Sequence, residues 1–191
     1  MRLAIYWFHA LFSHSCCLGA RYEPTDALGR LVYAKTGGSS YRSTDNELWV
    51  ALAEKAYAQL NESGWIGQDG TNSYTGTNLG YSSATMRQVT AQSTISRRLD
   101  TASTPNSLVD AFNSGQLTAL TTKGSSEVAP TLVPDHSYTL IEYEASTQRF
   151  TLFNPWGLKG GYSNGRYIPG TIQLGWDEIV QNFTGYVYTL S

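Results

Sequence analysis

The chain has 191 residues, enough for one domain with a real core, 41% of them apolar and only 15% charged, with a formal net charge of −2. No basic stripe argues for nucleic acid and no acidic tail argues for a cationic partner. Abundant Gly, Ser, Thr and Asn, with 13 tyrosines, predict strands joined by turns rather than a helical bundle.

The first segment, "MRLAIYWFHALFSHSCCLGA", carries an apolar run from Leu3 to Phe12. It is too short to cross a bilayer and no membrane partner is expected. It matches a secretory signal loosely, so export is a secondary expectation. The bland reading of residues 1–20 is a buried strand, or sequence foreign to the domain. Cys16 and Cys17 are the only cysteines and are adjacent, a spacing that rarely bridges. With no disulfide framework and no His/Cys cluster at zinc spacing, no metal site is expected and a cytoplasmic, reducing location is favoured.

"RYEPTDALGRLVYAKT" reads as extended chain, since Pro24 forbids helix. "TDNELWVALAEKAYAQLNESG" is the clearest helix. Thr44 and Glu47 form a capping box, Leu48, Leu52, Ala56 and Leu60 recur every four residues, Trp49, Ala53 and Tyr57 widen that stripe, and Gly64 stops it. Trp49 is read as core. "WIGQDGTNSYTGTNLGYSS" is a long irregular loop, followed by a short helix from Ser82 to Val89. "TPNSLVDAFNSG" is a helix capped by Asn106 and stopped at Gly115; "QLTALTT" is a strand; "KGSSEVAPTLVPD" is a loop delivering the chain to His136. After Gly157, "LKGGYSNGRYIPGT" reads as a second Gly-rich loop, "WDEIVQNF" as a short helix with acids in its first turn, and "GYVYTLS" as a closing strand. One compact α+β unit is the simplest account.

The chemistry-bearing stretch is "DHSYTLIEYEASTQRFTLFNPWG". Ser137 to Glu144 alternates, with Tyr138, Leu140 and Glu142 on one side and Thr139, Ile141 and Tyr143 on the other; Arg149 to Phe153 alternates as well. A hairpin turn centred near Ala145 pairs residues whose numbers total about 290, and so sets His136 opposite Asn154. A thiol nucleophile needs an imidazole to take its proton, and the imidazole needs a neutral acceptor that fixes its other nitrogen. Asn154 can be that acceptor, and Trp156 can cover the contact and exclude water. The plain alternative is a structural histidine and a strand-ending turn with a core Trp.

"HSYTLIEYE" followed by "FTLFNPWG" resembles the His and Asn segments of calpain-like cysteine proteases. "NELWVALAEKAYAQLNESGW" resembles the helix typified in that family by "ELWVALLEKAYAK", and "RYEPTDALGRLVYA" and "GTIQLGWDEIVQNFTGYVYTLS" resemble the segments before it and at the end of the domain. The resemblance covers residues 21–191, leaves 1–20 as an unmatched N-terminal segment, and looks bacterial rather than animal in the "NESGWIGQDGTNSY" loop.

The resemblance implies a papain-like protease fold: an α+β second half built on an antiparallel sheet with a few helices, and a polypeptide substrate. His136 would be general base and acid, Asn154 its orienting partner, and Trp156 the shield. It also implies a nucleophile in a Gly-x-Cys-Trp context that opens a helix, with a Gln upstream as an oxyanion-hole donor; neither motif is present. Cys16 and Cys17 are not assigned as nucleophile, because no Trp follows them and no helix start surrounds them. The expectation is therefore the His/Asn half of a protease, inactive alone, with the first half missing and its thiol supplied by a partner segment. The alternative is a non-catalytic binding or regulatory remnant of the fold. Animal calpains are calcium-regulated through acid-rich loops, but no Asp or Glu occurs from Gly157 to Trp176, so no cofactor is expected, calcium included. An isolated half would expose the face meant for its partner and self-associate.

Overall fold

The computed structural model describes residues 56–72, 80–124, 127–157, 159–163 and 165–190. The capping box at Thr44 and Glu47, the stripe residues Leu48, Trp49, Leu52 and Ala53, and both cysteines lie outside them. The chain divides into two compact units, Met1–Ala91 and Gln92–Ser191, where the sequence reads as one.

In the first unit, residues 56–62 are helical (α1) and the chain turns at Gly64, whose φ of +79° suits the left-handed stop expected there. The buried side of α1 runs through Ala58 and Asn61, while Ala56, Tyr57 and Leu60 are half-buried, so the core stripe is rotated from the predicted one. Asn61 turns inward because its Nδ2 donates to Asp69 Oδ1 and to the Thr71 carbonyl, tying the following loop to the helix. The helix Ser82–Thr90 (α2) buries Met86 and Val89 and ends at Ala91 in the left-handed region. Gln88 bridges the two elements, accepting from Tyr57 Oη and donating to the Ile66 carbonyl.

The second unit is an α+β layer pair. Its strands are β1 Thr94–Arg98, β2 Thr118–Thr122, β3 Ser137–Glu144, β4 Arg149–Phe153, β5 Gly161–Ser163, β6 Arg166–Ile168, β7 Thr171–Leu174 and β8 Phe183–Thr189. Six of them form one antiparallel sheet in the order β1-β8-β2-β3-β4-β7, and β5 pairs with β6 as a separate ribbon. The helices α3, Asn106–Asn113, and α4, Trp176–Asn182, put Leu108, Ala111 and Ile179 into one core with Leu120, Tyr138, Leu140, Phe150, Leu152 and Phe183 from the sheet. Each such aliphatic or aromatic side chain contributes about 1.5–3 kcal/mol by leaving water.

Local departures from expectation have local causes. Pro105, not Asn106, precedes the first turn of α3, and no side chain caps it; Asn106 is already helical. Gly115 ends that helix with φ +75°, as expected. The glycine-rich stretch after Gly157 contains β5, β6 and β7, whose three- and four-residue lengths leave no periodic signal to read. β1, "TISRR", is an edge strand with three exposed residues, so it also lacks alternation.

The β3–β4 hairpin differs most from its predicted register. Its turn is Ala145–Gln148, with Gln148 at φ +54°, and the pairs total 293 at the turn end and 292 at the far end rather than 290. The step is a bulge between Leu140 and Glu142. It sends Ile141 and Glu142 both outward and returns Tyr143, not Glu142, to the core face with Tyr138 and Leu140.

Candidate active site

Three neighbouring strands carry one face past their ends. Thr122 continues the inward series of Leu120 on β2; His136 precedes Tyr138 and Leu140 on β3; Asn154 follows Phe150 and Leu152 on β4. A two-residue period puts all three on the core side of the sheet, at its rim.

His136 Nε2 lies 3.1 Å from Asn154 Oδ1. The two residues sit on the same face as expected, but not as a directly opposed pair. Continuing the observed register sets Asn154 against Tyr138, so the imidazole meets the carboxamide along the diagonal. A diagonal of about 7–8 Å between backbones is within reach of two such side chains. The contact thus survives an error of two in the predicted register, because a slip of two keeps the face and a slip of one would not.

The direction of the Asn154 amide is fixed by the backbone. Oδ1 also accepts the Trp156 N–H at 3.1 Å, and a backbone N–H can only donate. Oδ1 must therefore face both groups, and His136 must donate from Nε2. In the neutral imidazole that leaves Nδ1 as the basic nitrogen. Asn154 is fully buried, and its Nδ2 has no acceptor among the described residues. Its own N–H donates to the Gly170 carbonyl at 2.8 Å and its carbonyl accepts from Gly157 at 3.1 Å.

Two rings bracket the imidazole. Tyr138 meets it edge-on at 5.3 Å between centroids, and Trp156 lies tilted at 5.5 Å. Tyr138 is held in turn by accepting the Val133 N–H at its hydroxyl. Trp156 rests on Gly161, where a Cβ would come within 3.0 Å of the indole. Burial among these groups pushes the His136 pKa below its ordinary value, and the hydrogen bond to Asn154 opposes that shift. The surroundings of His136 therefore favour the neutral imidazole over the charged one.

The arrangement supplies an oriented, partly dehydrated base with one fixed tautomer. That is what proton abstraction from a thiol requires of its partner. Sequence reasoning found His136, Asn154 and Trp156, and the structure brings all three together. It did not find Tyr138, which lies two residues beyond His136 on the same face of β3, or Thr122, which reaches the site through the β2–β3 pairing and is revealed only by the sheet order.

The family model described as calpain family cysteine protease matches residues 24–182. The chain belongs to this family. As a calpain-family cysteine protease domain it is of the hydrolase class whose business is proteolysis. None of the individually characterised proteins compared matches the chain.

Proposed function

We propose that this calpain-family chain is the His/Asn-bearing, second half of a papain-like fold, and that it serves a thiol endopeptidase acting on polypeptides. The observation that carries this reading is the Nε2–Oδ1 contact of 3.1 Å between His136 and Asn154, packed beside Trp156. In the proposed reaction His136 Nδ1 takes the proton of a cysteine thiol, and the thiolate attacks the peptide carbonyl. The imidazolium then returns that proton to the leaving amine, and an acyl-enzyme remains. Water, deprotonated by the same nitrogen, releases the acid and regenerates the thiol. Asn154 holds the Nε2–H throughout, so that Nδ1 alone gains and loses the proton, and it does so without placing a negative charge beside the ring.

The nucleophile is proposed to come from a Gly-x-Cys-Trp segment at a helix start, where the helix dipole favours a thiolate, rather than from Cys16 or Cys17. We propose activity without calcium, with two supports from the described residues. Among them no three His, Cys, Asp or Glu side chains gather as a metal would require. The one carboxylate of the loop after α1, Asp69, is engaged by Asn61 and Thr71. Calcium-independent activity of a bacterial-type member is the form we propose.

The test is cleavage of casein by this chain co-expressed with the coding sequence upstream of it, with and without a thiol alkylator. Alkylator-sensitive cleavage is expected, and His136→Ala should lower kcat/KM about 100- to 10,000-fold, the usual worth of a general base. Full activity in H136A would refute the reading. Cleavage by the chain alone that disappears in Cys17→Ser would move the nucleophile into this chain.

A further inference from the structure

We infer that Thr122 is a positioning residue for His136, its hydroxyl standing in for a missing backbone partner; the inference rests on the reading of His136 as the general base. The register of β2 and β3 pairs Ala119 with Thr139, Leu120 with Tyr138 and Thr121 with Ser137. One step further, Thr122 stands directly opposite His136. In an antiparallel ladder a hydrogen-bonded pair exchanges two backbone bonds. Here one is made: Thr122 N–H donates to the His136 carbonyl at 2.8 Å. The other is diverted. His136 N–H donates at 2.9 Å to Thr122 Oγ1.

The same hydroxyl spends its proton on the Val133 carbonyl at 2.7 Å. So one side chain satisfies a donor on His136 and an acceptor three residues earlier, on the loop that leads into the site. Thr122 is 1% exposed, so water cannot replace it cheaply at either group. The diversion coincides with two irregularities. A register shift falls between Thr121 and Thr122 in the pairing of β2 with β8. Asp135, immediately before His136, has φ +49°, a left-handed conformation, and its N–H is held by the Lys123 carbonyl at 3.0 Å. The chain bends sharply into His136, and a regular ladder partner could not follow it. A hydroxyl on a side chain can. Valine has the shape of threonine but neither bond, whereas serine keeps both.

The test reads His136 directly by NMR in the chain as it stands. In the wild type, the His136 amide should exchange with solvent at least 100-fold more slowly than an open amide, and the ring 15N shifts should report the Nε2–H tautomer alone. Thr122→Val should mix the two tautomers and move the His136 titration upward toward the ordinary histidine value, as the freed ring regains solvent. Thr122→Ser should restore the wild-type behaviour. A folded T122V with unchanged tautomer and titration would overturn the assignment, as would T122S behaving like T122V. If T122V fails to fold, fast exchange of the wild-type amide still overturns it. None of these readouts needs peptidase activity, so full activity of H136A in the casein assay, which would sink the protease reading, is separable from failure of the clamp.

Discussion

His136 and Asn154 meet at one hydrogen bond but are held in different ways. His136 is gripped by a neighbouring strand: Thr122 takes its N–H and donates to its carbonyl, and Asp135 beside it is tied to Lys123. Asn154 hangs from a glycine-rich segment: Gly170 accepts its N–H, Gly157 donates to its carbonyl, and Trp156 N–H fills its Oδ1. The histidine sits where a sheet imposes position. The asparagine sits where the chain turns back under a tryptophan, and a buried Nδ2 there lacks an acceptor among the described residues. We predict that the histidine side is the stiffer and that perturbation enters from the asparagine side.

The largest effect should strike both sides at once. Leu140 and Leu152 are cross-strand partners in the shared core, and Leu152 is fully buried. Leu152→Ala should destabilise the fold by about 2–5 kcal/mol in guanidinium unfolding. It should loosen His136 and Asn154 together, seen as faster exchange at both amides; an effect on one alone would break the idea that they share a platform.

Next comes a change aimed at the asparagine side. Gly160 has φ +60°, and a Cβ there would lie 2.1 Å from the Ile168 carbonyl oxygen and 2.8 Å from the Gly170 nitrogen. Gly160→Ala must force the entry to β5 away from the end of β6 and from Gly170, the residue that receives the Asn154 N–H. A cost of about 1–3 kcal/mol is expected, as for overpacking, with Asn154 exchange accelerated and His136 exchange nearly unchanged. Equal acceleration at both amides would erase the proposed difference.

How far the sequence foretells this depends on the length of each signal. Alternation in "SYTLIEYE" and "RFTLF", together with the family-like "NPWG", is enough to bring His136, Asn154 and Trp156 to one face. Their register is not legible, because the bulge at Ile141 costs one residue and the turn lies further on than Ala145. β5, β6 and β7 are too short to show a period, and β1 buries almost nothing. Thr122 is invisible in sequence for a different reason. "QLTALTT" marks it as the inward residue of a strand, but its worth arises only from which strand lies beside β2.

A smaller, directional effect follows from charge. Burial lowers the His136 pKa, so between the folded and unfolded values the unfolded chain binds more protons. Stability from this group is fully present above the ordinary histidine pKa of 6.5 and is lost as pH falls through that value toward the folded one. Asn154→Asp should reverse the sign. A carboxylate beside Nε2 favours the imidazolium and raises the folded pKa, and the contribution is then present at low pH and lost as pH rises. Unfolding midpoints between pH 5 and 8, with His136→Gln as the reference, would measure the two opposite slopes. Parallel slopes would mean that residue 154 does not face the ring in solution.

The smallest effect belongs to the far end of the same hairpin. There Arg149 meets Glu178 at 2.9 Å, with both side chains more than 40% exposed, and Glu178 also accepts the Gly175 N–H at the start of α4. Exposed ion pairs contribute about 0–1 kcal/mol and less in salt, so Arg149→Ala should cost little. Glu178→Ala should cost more, since it removes the helix-start acceptor as well as the pair. Neither should disturb the His136 tautomer, because Arg149 stands at the turn end and the bulge at Ile141 separates it from the rim where the strands leave the ladder. If removing Arg149 did mix the tautomers, the hairpin would be acting as one rigid lever. The stiffness of the histidine side would then come from the hairpin as a whole and not from its bond to Thr122.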